Sequence, residues 1–422
     1  MSTVADRAGS RRRRSGSRSN PLRSNRDFFL LWTGAGLSLL GSRVGSVAYP
    51  LLVLWHTGSP AAAGLVGFAA QLPQLVVQLP AGAFVDRWDR RRVMIACDLG
   101  RCLLVGSVAV AVLFGRVWVA HLMVVAFLEV SLTVFYRLAE RAAVRNLVSA
   151  DDLPTAMSAN EARSRAATLL GQPGGSFLFT ATRSAPFVFT ALAHLGSLIT
   201  LLMIRTPLQQ PREPARRNIR REIAQGIAWV NRQPFLRAVM VLVAVTNVFF
   251  QGLSLALLVI IHDQDGPPWV VGLTLGVAGI GGALGALNAT WWTRRFSLPA
   301  VLLGGLAAWA VLMPLVAVVR NPVLLGLTFA GMSYVGGLFN VTGGVYQVQI
   351  TPDALQARVN SVLTLIGSGT NSLGMLAGGF LLDRAGVTDT ALGIGAGMVL
   401  LLFGSLLSST VRRGDRSVRE RI

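Results

Sequence analysis

Apolar runs long enough to cross a bilayer recur along this 422-residue chain, and no other feature limits its fold as severely. Inside hydrocarbon every backbone N–H and C=O must be satisfied by the protein itself, so only helices and closed barrels span. A core about 30 Å thick takes about 20 mostly apolar residues per helix, whereas a barrel strand alternates over about ten. The runs here are continuous, which predicts an all-α integral membrane protein. Twelve transmembrane helices are expected, over 27–55, 61–84, 93–114, 118–142, 155–181, 185–204, 235–261, 269–292, 299–319, 322–349, 356–381 and 388–410. The fifth is the least apolar, because Glu161, Arg163 and Arg165 interrupt its first half. Composition agrees: 52% of residues are hydrophobic and 14% charged, against roughly 25% charged in a soluble domain.

The formal charge of +20 would by itself suggest a nucleic-acid partner, and all 39 basic residues are arginines. Their placement argues otherwise. Arginines crowd residues 1–24, the 86–92 loop, the 205–232 connector, Arg294-Arg295 and the tail from 411 to 422. The alternate loops carry at most one each: Arg116, Arg183, Arg320 and Arg384. The positive-inside rule makes the crowded side cytoplasmic, with both termini inside. No nucleic-acid partner is expected; the arginines face anionic lipid headgroups. Residues 1–24 read as a disordered cytoplasmic tail and not as a cleaved leader, since the following run is long enough to span. The lysine-free composition suggests a GC-rich bacterial genome, and the location expected is the bacterial inner (plasma) membrane, multi-pass.

The chain also repeats itself. Asn25-Arg26 and His56 recur as Asn231-Arg232 and His262 at an offset of 206. Ser149-Ala-Asp151-Asp-Leu153 recurs as Thr351-Pro-Asp353-Ala-Leu355 at an offset of 202, each with an acid placed to cap a helix, and Gly174-Gly175 recurs as Gly378-Gly379. The organisation expected is a six-helix bundle at 25–204, a cytoplasmic connector at 205–232, a second bundle at 233–410 and a tail at 411–422. Within the connector, Arg216–Val230 reads as an amphipathic helix with Ile219, Ile223 and Ile227 on its apolar face.

Two six-helix halves, a basic central loop, and Gly82-Ala-Phe-Val-Asp86-Arg87-Trp-Asp89-Arg90-Arg91-Arg92 between the second and third spans resemble the major facilitator superfamily and its signature loop. Asp89 stands where that pattern expects glycine, a departure shared with the superfamily's drug, macrolide and siderophore exporters, the branch of the enterobactin exporter. Thr351-Pro-Asp-Ala-Leu-Gln-Ala-Arg358-Val-Asn360-Ser is similar to the same branch. The resemblance implies two pseudo-symmetric six-helix bundles, alternating access, and a gating role for Gly82, Asp86, Arg87, Arg90 and Arg91. Physically, Gly82 would let two helices approach, and Asp86 could exchange ion-pair partners among the arginines.

Arg43 and Glu129 carry charge at bilayer depth, where each needs a partner or a wet cavity. Each lies about eleven residues, or about 16 Å, from the outer end of its span. In the family these spans face a central cavity, so a pair across it is expected, with Glu129 as proton carrier and Glu161, partnered by Arg165 one turn on, as second candidate. Polar stripes at helical spacing suggest a cavity shared by both halves: Gln71, Gln74 and Gln78; Thr133 and Tyr136 on the Glu129 face; then Asn247, Gln251, Asn340, Gln347 and Asn371. A lone amide in a membrane helix is more often packing glue than a ligand. Gly171-Gln-Pro173-Gly174-Gly175 resembles the superfamily's exporter motif, one residue short of its usual spacing.

The expected function is export of a small amphipathic organic molecule such as a drug, antibiotic or siderophore by proton-coupled antiport. A lipid or lysophospholipid carrier of the same fold and a non-transporting sensor stand as alternatives. Enzymatic chemistry is not expected. The chain has no Gly-x-x-x-x-Gly-Lys loop, its four histidines are scattered, and Cys97 and Cys102 lie in an apolar run, so no cofactor, metal or disulfide is called for. The partners expected are the small-molecule substrate, protons and membrane lipid, with the chain a monomer.

Overall fold

A computed structural model describes residues 25–85, 87–209 and 219–413, and these are helical with no strand. In chain order the helices are α1 Arg26–Thr57, α2 Pro60–Val76, α3 Gln78–Val85, α4 Arg90–Leu113, α5 Val119–Leu147, α6 Leu153–Ala181, α7 Ala185–Met203, α8 Ile219–Asn231, α9 Pro234–Asp263, α10 Trp269–Arg295, α11 Leu298–Leu315, α12 Pro322–Ile350, α13 Gln356–Leu407 and α14 Ser409–Arg413. Nine helical stretches among the described residues are long and apolar enough to cross a membrane. The other expected passages have local explanations. The second span is broken at Val77 into α2 and α3, and α6 carries the charges noted above. The last two spans run together as α13, divided at Gly386, whose φ of 73° glycine adopts without strain.

Several helices start where side chains replace missing backbone partners. Asn25, Ser59, Asp89 and Asn321 accept from the N–H groups of Phe28, Ala62, Arg92 and Val323. Asp89, the departure from the signature pattern, is thus the N-cap of α4. The acids expected to cap α6 and α13 behave differently. Asp152 bonds Ser149 Oγ at 2.8 Å instead of a backbone amide, and Asp353 opens a short 3-10 turn ahead of α13. The connector helix is present as α8, packed on α13 through Gly226, where an added Cβ would lie 2.9 Å from the Arg358 carbonyl.

The sequence repeat has a packing counterpart. Gly175 of α6 lies against Val44 of α1, and Gly378 of α13 lies against Gly252 of α9, so the matched glycines bring corresponding helices to near backbone contact. Between the halves, α2 packs on α13 and α6 on α10. These contacts begin at the end away from the arginines and reach inward as far as Leu75 against Gly369. Gly64 lies against Gly379, Ser59 Oγ donates to Asp383 Oδ1 at 3.0 Å, and Trp55 meets His262 edge-on at 5.0 Å. One apolar core there unites Leu51–Leu54 with Leu255–Ile261. At the arginine-rich end the cores separate, one holding Phe28, Met94 and Leu147, the other Phe235, Tyr346 and Val359. The two halves are sealed at one end and parted at the other.

A Cβ on Gly64 would lie 2.7 Å from the Gly379 Cα and the Met375 carbonyl, backbone atoms that cannot swing aside. Gly64→Leu is therefore expected to shift the population toward the conformation parted at the opposite end. A Leu257→Cys reporter, 0% exposed in the sealed core, should then react about tenfold faster with an impermeant maleimide added on that side. Unchanged labelling would show that this contact does not hold the seal.

Candidate functional site

The polar interior lies in the first half, on α1, α4, α5 and α7. Glu129 of α5 is 3% exposed, accepts from Tyr49 OH of α1 at 2.7 Å, and has Oε1 3.9 Å from His194 Nε2 of α7. That His194 nitrogen is buried with no hydrogen-bond partner. The other, Nδ1, lies 3.2 Å from Ser38 Oγ and 3.7 Å from Asp98 Oδ1, so the imidazole bridges two carboxylates. Asp98 is fully buried in an ion pair with Arg101, one turn along α4, and accepts from Ser38 Oγ at 3.3 Å and Ser197 Oγ at 2.7 Å. Arg101 stacks 4.5 Å over the Tyr136 ring and reaches Thr133 Oγ1 at 3.4 Å, while Tyr136 OH meets Ser197 Oγ at 3.1 Å. A hydrogen-bonded chain thus runs across four helices from His194 through Ser38, Asp98 and Ser197 to Tyr136, and the Tyr49–Glu129 pair stands 3.9 Å beyond its imidazole end. Such a chain can hold and pass protons without exposing charge to lipid.

Beside it opens a cavity of about 810 Å³ formed by α1, α4, α5 and α6 on the arginine-rich side. Ser38, Arg101, Thr133 and Tyr136 belong to both, so the chain meets the cavity wall there. Glu140 and Arg163 form a 2.5 Å ion pair in that wall, and Arg163 also donates to the Trp32 carbonyl, tying α5, α6 and α1 together.

The expected Arg43–Glu129 pair is not formed in this structure. Gly45 is the α1 residue facing Glu129, its ideal Cβ 3.9 Å from Oε1; Arg43, two residues earlier, is about 200° away around the helix and lines the cavity. Depth matched, azimuth did not. Glu161 and Arg165 do pair, at 2.8 Å, with both side chains largely exposed. Thr133 and Tyr136 lie in the polar interior as the Glu129 stripe suggests.

The remaining amides do not join this cavity. Gln71 and Gln74 are half-buried on α2, cut off from Gln78 by the break at Val77. Asn247 and Gln251 face α13, where ideal Cβ atoms on Gly367 and Gly374 approach them, which is the packing role of a membrane amide. Asn340 is exposed, Gln347 buried and Asn371 half-buried, and none lines the cavity.

In the signature loop, Asp86 lies outside the described residues. Gly82 sits within α3, and a Cβ there would meet open space, so it does not serve a close helix approach. Arg87 is exposed, Arg90 donates to the Ala142 carbonyl, five residues before the end of α5, and Arg91 donates to the Leu202 carbonyl at the end of α7. These arginines clasp the loop to the neighbouring helices, Arg91 at a helix C-terminus where a cation suits the dipole. The exporter-like motif sits at a junction. Gly171 backs directly on Arg43, Gly175 on Val44, and Pro173 touches Gly272 and Gly276 of α10.

Asp98, Arg101, Tyr49 and His194 escaped the sequence reading. The signal was present, since Asp98 and Arg101 interrupt the third span at i,i+3 and His194 sits mid-run in the sixth.

A family model described as transmembrane secretion effector, of the major facilitator type, matches residues 16–418. The chain belongs to that family. Among curated relatives, the multidrug efflux pump Tap of Mycolicibacterium fortuitum is 29% identical, covering 86% of this chain and 90% of the relative. Macrolide efflux protein A of Streptococcus pyogenes is 23% identical over 92% and 97%. Among solved structures, the nucleoside transporter NupG superposes with a TM-score of 0.71 at 14% identity, over 90% of this chain and 98% of that one. The fold is that of the major facilitator superfamily, and the protein is a multi-pass membrane protein.

Proposed function

We propose that this protein is a proton-coupled exporter of small amphipathic organic molecules, working by alternating access in a bacterial plasma membrane with both termini cytoplasmic. The observation that carries the reading is the buried Glu129–His194–Asp98 chain abutting a cavity open on the arginine-rich side. The sealed opposite end supports an inward-facing state of the cycle, and the efflux activity of the named relatives supports the direction. Glu129 is the proton carrier: its carboxylate is shielded from lipid, hydrogen-bonded by Tyr49, and 3.9 Å from an imidazole nitrogen that can exchange protons with it once the two close to hydrogen-bond distance. Loss of the proton toward the cavity side and reloading from the other face would tie each turnover to the proton gradient. The signature-loop arginines hold the cytoplasmic helix ends and must release them as the cavity closes.

Reconstitution tests this. In proteoliposomes, substrate movement is expected to require an imposed pH gradient and to dissipate it, with a pH-sensitive dye reporting counterflow. Transport at equal rate with the gradient collapsed, and no substrate-linked proton movement, would reject coupling. Ligand binding with no movement under any gradient would favour a sensor.

A further inference from the structure

The cavity wall is heavily cationic, and its carboxylates are spoken for. Glu140 pairs with Arg163, Glu161 with Arg165, and Arg101 is answered by Asp98. Arg43, Arg137 and Arg141 line the same space with no ion-pair carboxylate among the described residues. They also act on one another: Arg137 feels the positive charge of both Arg141 and Arg43, against the negative charge of the committed Glu140. Arg43 Nε is buried without a hydrogen-bond partner.

Topology alone does not account for these residues. Arg43 lies about 25 Å along α1 from its arginine-rich end, beyond the reach of headgroups, and Arg137, about 15 Å from that end of α5, lines the cavity with it. Guanidinium does not deprotonate at physiological pH, so mutually repelling arginines at this depth need an anion, the more so when the cavity closes and sheds water. Arginine's fork of donors matches carboxylate, phosphate and sulfonate oxygens. Ala35, Leu39, Leu138 and Met157 supply an apolar part of the wall, and the volume lies in the range that encloses a small organic ligand.

We infer that the cavity takes an amphipathic organic anion, its acid group answering Arg43 and Arg137. This rests on the reading of the cavity as the cargo site. Expelling an anion while protons enter moves charge in the direction that an inside-negative membrane potential favours for both, so the proton carrier and the arginines would work together.

The test uses the full chain in phosphatidylcholine nanodiscs with two dyes of one scaffold, anionic fluorescein and cationic rhodamine 6G, followed by fluorescence anisotropy. Fluorescein is expected to bind at least about tenfold tighter, and Arg43→Gln and Arg137→Gln each to weaken it about tenfold. Arg43→Lys and Arg137→Lys, which keep the charge, should recover most of that loss in variants whose thermal midpoints match the parent. Displacement of fluorescein by phosphatidylglycerol added to the disc would identify a lipid headgroup as the anion; persistence would identify a soluble one, and both support the inference. Equal or tighter binding of the cation, or binding indifferent to both glutamine variants, overturns it. Anion binding without transport in proteoliposomes would reject the exporter and keep the site. Gradient-driven transport of the cation alone would do the reverse.

Discussion

Glu129→Gln is expected to abolish gradient-driven transport while leaving substrate binding within about threefold of the parent, and to lower the pH-driven rate by about 100-fold or more. Glutamine keeps the volume and one carbonyl oxygen, so Tyr49 OH still has an acceptor at its 2.7 Å partner position. What is lost is the exchangeable proton. The residue is 3% exposed in the interior of α5, so water cannot readily stand in for the carboxyl group, and the imidazole of His194 faces an amide that does not titrate. Exchange of labelled for unlabelled substrate across the bilayer needs no net proton movement and should continue. That split separates a carrier from a structural acid: a structural role would depress binding and exchange together. A Glu129→Gln protein that transports against a pH gradient at the parent rate would move the coupling site elsewhere, with Glu161 next in line.

The fold was legible because bilayer thickness and backbone satisfaction leave few options for a chain of repeated apolar runs. The differences in detail arise from local chemistry that hydropathy averages away. The break at Val77 divides the second span into α2 and α3, and Gly386 turns the chain between the last two spans within the short polar link from Asp383 to Asp389. The site was less legible, for a geometric reason. Arg43 and Glu129 stand at matching depth, yet the two-residue step from Gly45 turns Arg43 away from Glu129 and toward Gly171 of α6. Depth follows from counting residues, but azimuth depends on how each helix is rotated by its small-residue contacts. The same limitation separated the amides. Asn247 and Gln251 share a helical stripe with a cavity-like period, but glycines on α13 draw that face into an interhelical seam. Asp98 and Arg101 went unread because an i,i+3 pair neutralises itself within an apolar run, leaving no run of charge to notice.

Removing one partner of that pair is expected to have the largest effect on stability. Asp98 and Arg101 are 0% and 1% exposed, and their environment is built to hold both charges. Two hydroxyls, Ser38 and Ser197, donate to the carboxylate; the guanidinium has the Cys97 carbonyl, Thr133 and the face of Tyr136. Arg101→Ala leaves an uncompensated acid among four helices, and Asp98→Ala leaves an uncompensated guanidinium. Each is expected to cost about 3–5 kcal/mol, read as loss of monodisperse protein and a lowered unfolding midpoint in detergent. Replacing both, as Asp98→Asn with Arg101→Gln, removes the charges while keeping hydrogen-bonding groups, and should recover most of the loss because a buried pair is worth little against a neutral substitute. A double-mutant cycle gives the coupling directly. If the double variant were as unstable as the singles, the packing of these side chains and not their charge would hold the bundle. If it were stable but uncoupled from protons, Asp98 would belong with Glu129 and His194 as part of the path, because the neutral amide can satisfy the serines yet cannot take up a proton from the imidazole beside it.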